Sequence, residues 1–276
     1  VRYTHFEGLI SETATDPRLG ATVKIPGLKW VLRAFWGKFY QPPPLQTLSG
    51  PLLGLAQNNN LGFLPLQGER DKEYQYGLTI PVSGWTIDVN HFRTEARNFF
   101  DHNPIGESNV FLPITITGAL IRATELAVRS PRFQSGLRVH IAYSNQSADA
   151  LGGITGGLTD FSPPTGYYAL DHDQRNTFNA GMDAELPLQA FASINLSYGS
   201  GFSNGSAPPS HLPGHASLDL SLGKAFGKSL TASVTVLNAT NRHLLIDNSL
   251  TFDGYHWNDP REVYAEVHYK FRYWQP

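Results

Sequence analysis

The stretch Asn176-Thr-Phe-Asn-Ala-Gly-Met-Asp-Ala-Glu-Leu-Pro-Leu-Gln-Ala-Phe-Ala-Ser-Ile-Asn-Leu-Ser-Tyr-Gly199 decides the fold. In its first half Phe178, Ala180, Met182 and Ala184 alternate with Thr177, Asn179, Asp183 and Glu185. In its second half Ala190, Ala192, Ile194, Leu196 and Tyr198 alternate with Ser193, Asn195 and Ser197. A period of two places alternate side chains on opposite faces of a strand, and Leu186-Pro187-Leu188 punctuates the halves as a tight turn. The segment is an antiparallel hairpin with one apolar face and one face of small polar groups.

The unit repeats in both directions. Toward the C-terminus, Ala216, Leu218, Leu220 and Leu222 alternate with serine and aspartate, as do Leu230, Ala232, Val234 and Val236 with hydroxyl residues, and Val263 to Phe271 closes the series. Toward the N-terminus the pattern recurs at 137–144, 114–129, 85–90, 72–80, 29–40, 18–25 and 1–8. Only Ala119–Arg129 carries good helix formers. It reads as a strand because its neighbours are strands, and context of this kind overrides propensity. The total is about twelve strands.

The connections alternate in length. Tight turns fall at Pro26-Gly27-Leu28, Pro81-Val82-Ser83-Gly84, Ser130-Pro131-Arg132, Leu186-Pro187-Leu188 and Phe226-Gly227-Lys228. Long loops are expected at 41–71, 98–113, 146–174, 200–212 and 240–260. In an up-and-down meander every second connection lies on the same rim, so short turns share one end and long loops the other. That is the layout of an all-β, antiparallel transmembrane β-barrel.

Alternation alone does not say which face meets lipid, and a large soluble β-sandwich with an apolar interior has the same periodicity. Sparse Lys and Glu on the strands favour the membrane orientation, since a water-facing sheet normally carries many. So do the rings near strand ends, Trp30, Trp36, Tyr40, Trp85, Tyr143, Tyr198, Tyr269, Tyr273 and Trp274, which suit the headgroup level. Charged residues are 16% of the chain, against roughly 25% in soluble domains. Twenty-one Lys+Arg against 23 Asp+Glu give a net charge of −2, which argues against nucleic-acid binding. With no cysteine, disulfides, thiolate metal sites and cysteine nucleophiles are excluded.

Three motifs resemble the TonB-dependent receptors of Gram-negative outer membranes. They are Asp16-Pro17-Arg18-Leu19-Gly20 with the later Leu32-Arg33-Ala34-Phe35-Trp36-Gly37-Lys38-Phe39-Tyr40-Gln41-Pro42, then Val236-Leu237-Asn238-Ala239-Thr240-Asn241, then Asp259-Pro260-Arg261-Glu262-Val263-Tyr264 running to Phe271. Their order and spacing are similar to the last half of such a receptor, so the resemblance covers nearly the whole chain. The chain departs from it by continuing past the terminal aromatic through Arg272–Pro276. The resemblance implies a single barrel domain over 1–276, the C-terminal part of a larger receptor whose plug and first strands lie elsewhere. The opening on Val1 inside a strand fits that reading. It further implies outer-membrane lipid around the barrel and a ligand that is an iron chelate, haem, cobalamin or oligosaccharide. An inner-membrane energy-coupling protein is expected to engage the N-terminal part. A free-standing porin-like passive channel is the second reading, and an outer-membrane barrel enzyme the third.

Little in the sequence points to chemistry. Asp171-His172-Asp173 is the densest ligand cluster, and His211 and His215 are four apart, but Leu212-Pro213-Gly214 forbids the helix that would converge them. Gly152–Gly157 lacks the lysine of a phosphate loop and reads as flexible loop. No catalytic residue, metal or cofactor is expected. Ligand-binding candidates are Tyr167, Tyr168, His172, Tyr255, His256 and Trp257, because rings in long polar loops need a reason; they contact ligand or pack the loops together. Arg33, Arg138, His140, Asp183 and Lys270 fall on the polar face, where cross-barrel bonding is the expected use.

Overall fold

The computed structural model describes residues 1–8, 10–44, 54, 63–104, 111–158, 166–205, 209–248 and 254–271. Its strands are β1 (Arg2–Glu7), β2 (Ser11–Asp16), β3 (Arg18–Lys24), β4 (Val31–Gln41), β5 (Phe63–Leu64), β6 (Glu69–Val82), β7 (Trp85–Pro104), β8 (Phe111–Arg129), β9 (Leu137–Leu158), β10 (Tyr167–Ala169), β11 (Asn176–Leu186), β12 (Ala190–Gly199), β13 (His215–Phe226), β14 (Leu230–Leu237), β15 (Leu245–Asp247), β16 (His256–Trp257) and β17 (Glu262–Tyr269). β2 and β3 are one path broken at Pro17, which has no N–H for a ladder. With β1 paired to β2, the meander has the expected twelve strands. It is one antiparallel sheet in the order β3-β4-β6-β7-β8-β9-β11-β12-β13-β14-β17. A sandwich would need a second sheet packed on its apolar face; the described residues form none. The sheet is not closed: β3 pairs only β4, β17 pairs only β14, and the two edges do not pair with each other.

Register confirms the hairpin that opened the argument. Phe178 lies opposite Tyr198, Ala180 opposite Leu196, Met182 opposite Ile194 and Ala184 opposite Ala192. The apolar row continues strand by strand, with Leu32 opposite Leu78, Leu78 opposite Val89, Val89 opposite Leu126, Leu126 opposite Tyr143 and Tyr143 opposite Phe178. One residue along, Arg33, Gly77, Asn90, Glu125, Ser144 and Thr177 form the polar row. The apolar limit stands at Trp36 on β4 but at Tyr143 on β9, two rows lower, as strands tilted in a barrel require. Ala119–Arg129 is strand throughout, as expected.

The turns match the expected positions, but the long loops are shorter than expected. β7 runs on to Pro104 and β9 to Leu158, so 98–104 and Gly152–Gly157 are strand and not loop. The glycine run is accommodated by register shifts around Thr115, Ile116 and Gly118, and Gly153 and Gly157 take φ of 96° and 91°, which favours glycine there. Buried apolar residues gather at this long-loop end, where Ile114, Ile116 and Ala150 pack with Phe99, Tyr168 and Leu170. Among the described residues no helix is long and apolar enough to cross a membrane, a statement that does not bear on strands. The expected loop stretches 45–53, 55–62, 105–110, 159–165 and 249–253, and the rings Tyr273 and Trp274, lie outside the described residues.

Candidate functional site

Two features converge on the long-loop rim, a polar inner wall leading up to it and a braced loop platform on top. On the inner wall Arg33 reaches across β6 to β7. Its Nη2 donates to Asp88 Oδ1 and to Asn90 Oδ1, each at 2.8 Å, and its Nη1 bonds Thr79. Asn90 Nδ2 donates to Asp88 at 2.7 Å. The crossing is possible because residue 77 is glycine; a Cβ there would sit 2.7 Å from Arg33 Nη2 and 2.6 Å from Asn90 Oδ1. Further down, His140 Nδ1 lies 3.9 Å from Asp183. Of the wall residues named from the sequence, Arg33 thus bonds across strands, the structural use expected of it.

This network gives a first prediction. Arg33→Met will lower the unfolding free energy of the folded protein in vesicles by about 1–2 kcal/mol, because Asp88 keeps its charge and loses its cation. The pair is about a third exposed, with side-chain accessibilities of 36% and 25%, which holds the effect well under that of a buried pair. Gly77→Ala will cost a similar amount, and combining it with Arg33→Met will cost less than the sum. Strict additivity in denaturant titration would show that residue 77 does not act through Arg33.

The platform is built from the segment between β10 and β11, the segment between β12 and β13, and the β15–β16 hairpin. Asp173 pins the first to the sheet by accepting from Ala148 N at 3.1 Å. His172 N donates to Ser203 O at 2.9 Å, and Ser203 N donates to Asp173 O at 2.7 Å. Asn204, fully buried, donates from Nδ2 to Pro209 O at 3.0 Å and accepts from Asn248 N at 3.3 Å. His172 Nε2 stands 3.4 Å from the buried carboxylate of Asp247 on β15. Phe202 lies edge-on to His172 and stacks on His215 with centroids 5.1 Å apart. Burial pushes the His215 imidazole below its usual range and the Asp173 carboxyl above its own.

The structure separates the six sequence candidates. Tyr168 points inward onto Ile114, Ile116 and Ala150, where burial, with Asp101 and Asp171 adding to it, pushes its hydroxyl up to about 12. Tyr167, its neighbour in β10, points the other way and is 63% exposed. His172 braces the platform through Asp247, whose register partner is His256. That contact brings His172 and His256 to one locality, although neither is near the other in sequence. Tyr255 and Trp257 are 69% and 54% exposed on the outer side of the same hairpin. Sequence reasoning missed Phe202, Asn204 and Asp247 and weighed His215 only as a metal partner of His211; all four carry the bracing, and none lies in a stretch with a clear periodic signal. Among the described residues no group of three or more His, Asp or Glu could hold a metal ion.

The model of the family described as TonB dependent receptor-like, beta-barrel matches residues 1–239. No curated protein sequence matches the chain. Among solved structures, it is similar to the FrpB iron transporter from Neisseria meningitidis (TM-score 0.72, 14% identity, 95% of this chain and 40% of that one). It is also similar to the ferric enterobactin receptor PfeA from Pseudomonas aeruginosa (0.68, 13%, 98% and 41%). A third is the ferric-catecholate import receptor Fiu from E. coli (0.63, 15%, 93% and 35%). The chain thus spans well under half the length of each of these proteins.

Proposed function

The chain belongs to the TonB-dependent receptor β-barrel family, and on that premise we propose that residues 1–276 are the C-terminal barrel wall of an outer-membrane receptor for energised import of a bulky nutrient. The family is one of receptors and transporters, not of enzymes, and its barrels are outer-membrane proteins. The nutrient is an iron chelate, haem, cobalamin or an oligosaccharide; the names of the solved neighbours make a ferric catecholate the first to try. One observation carries the reading: the rings of Tyr255 and Trp257 stand exposed on a hairpin tied through Asp247 and His172 to the rim of a polar-walled sheet. Rigid support under exposed aromatics favours ligand capture, because little ordering entropy is lost on binding. The energy-coupling protein would act through segments outside this chain.

The test uses cells that depend on the intact receptor and a ferric catecholate labelled with radioactive iron. Deleting the inner-membrane coupling protein is expected to abolish uptake. Tyr255→Ala with Trp257→Ala is expected to raise the half-saturating concentration about ten-fold, the loss of roughly 1.4 kcal/mol of binding. Uptake that survives without the coupling protein would replace this reading with the passive channel.

A further inference from the structure

The lipid-facing rows hold one charge. From the row that joins Leu32 to Phe178 down to the short turns, the outward strand positions among the described residues are apolar, aromatic or small, except for Lys224 on β13. A charge on the lipid face of a barrel is disfavoured in proportion to its depth, so an ionisable group kept there points to a partner. Register sets Lys224 between Ala190 on β12 and Ala232 on β14, with Val267 of β17 one strand further. The row above contains Leu222 and Val234, and the row below Phe226, Leu230 and Tyr269. Lys224 thus lies one row to the hydrocarbon side of the rim rings, in a notch that two methyl side chains leave open on either hand.

The side chain is turned toward the rim. Lys224 Nζ stands 5.4 Å from the centroid of the Phe226 ring, the direction a lysine takes when its ammonium seeks the headgroup level. No carboxylate meets it there. Lys224 makes no ion pair among the described residues, and the acids of the neighbouring strands belong to the polar face. Asp183 lies opposite Ser193, Glu266 lies opposite Ser233, and Glu185 is bonded by Arg132. A second cation, Lys228, is exposed in the turn that joins β13 to β14. Two ammoniums therefore flank an open outward notch with no acid on that face to answer them.

We propose that the Lys224 notch holds the phosphodiester of a net-anionic phospholipid of the inner leaflet. The leaflet follows from the end of the barrel: the notch adjoins a short turn, and short turns are periplasmic in outer-membrane barrels. Acyl chains of the occupant run up the row of Leu222 and Val234, and its phosphate lies between Lys224 and Lys228, where it accepts charge-assisted bonds from both. The rest of the headgroup decides the choice. The ammonium of a zwitterionic head would meet two cations and no carboxylate, whereas an uncharged glycerol head meets no repulsion. The inference depends on the apolar rows facing lipid and not on which nutrient is imported.

The experiment is native mass spectrometry of the folded protein in detergent, titrated with phosphatidylglycerol, with phosphatidylethanolamine of the same acyl chains, and with inorganic phosphate. Wild type is expected to retain the first phosphatidylglycerol about five-fold better than phosphatidylethanolamine, the factor that one lysine contributes beside an anionic headgroup. It is expected to retain no inorganic phosphate. Lys224→Gln is expected to bring the two lipids to parity, while Lys24→Gln, at the same rim but on the polar face of β3, leaves the preference unchanged. Parity of the two lipids in wild type would overturn the proposal without any variant. So would saturable binding of inorganic phosphate alone, which would mark a free-anion site, or an undiminished preference in folded Lys224→Gln. If that variant does not fold, Ala232→Leu is read in its place: it keeps the charge and fills the notch, so the preference should fall, and its persistence would overturn the assignment.

Discussion

Refolded into lipid vesicles by itself, the 276-residue chain will give no heat-modifiable, protease-protected barrel, whereas the same chain within the larger receptor proposed above will give both. The reason lies at the sheet's two edges. β3 has seven residues and β17 eight, each paired on one side only. Roughly half of the backbone groups on each edge face away from the sheet, and every unsatisfied group in hydrocarbon costs several kcal/mol. Even one bare edge then costs on the order of 10 kcal/mol, as much as the whole stability of an ordinary domain. The measurement is gel mobility with and without boiling, with protease protection as the second readout. A protected, heat-modifiable species from the chain alone would mean that β3 and β17 meet. The passive channel would then lead, and conductance across a planar bilayer would be the next quantity to measure.

The two edges also show why so much of the architecture can be read from sequence. Within the lipid span one face must be apolar and the other meets water, so the period of two is enforced at every residue. The rows running from Leu32 to Phe178 carry that pressure unbroken. Beyond the aromatic limit neither face meets lipid and the pressure disappears. There β9 continues through Ala148, Ala150 and Gly152 to Leu158, a composition that reads as loop. What makes it strand is its ladder to β8 and packing on Ile114 and Ile116, both long-range facts.

The platform is harder still to read from sequence. Tyr167 and Tyr168 are indistinguishable as adjacent tyrosines, and only the pairing of β10 with β9 sends one outward and the other into the core. His172 and Asp247 meet because two loops fold over the same rim, and no spacing rule connects them.

Face assignment makes the second large prediction. Ile194 lies between Met182 and Leu220 in the apolar row, midway down β12, and Ser193 beside it points to the polar side opposite Asp183. Ile194→Arg will lower the stability of the intact receptor in vesicles by about 2–4 kcal/mol, the cost of a guanidinium facing the bilayer midplane. Ser193→Arg will change it by less than about 0.5 kcal/mol, since the new side chain enters water beside a carboxylate. The same substitution one residue apart keeps net charge, strand and depth the same and varies only the face. Urea titration of both variants in the same vesicles reads the difference directly. If Ser193→Arg were the costlier change, the polar row would be the one against lipid. If the two costs were equal, neither face would be against hydrocarbon, and the alternation would be that of a sheet in water. An excess cost at Ile194 alone fixes the lipid side of β12, and register carries that assignment to every other strand of the sheet.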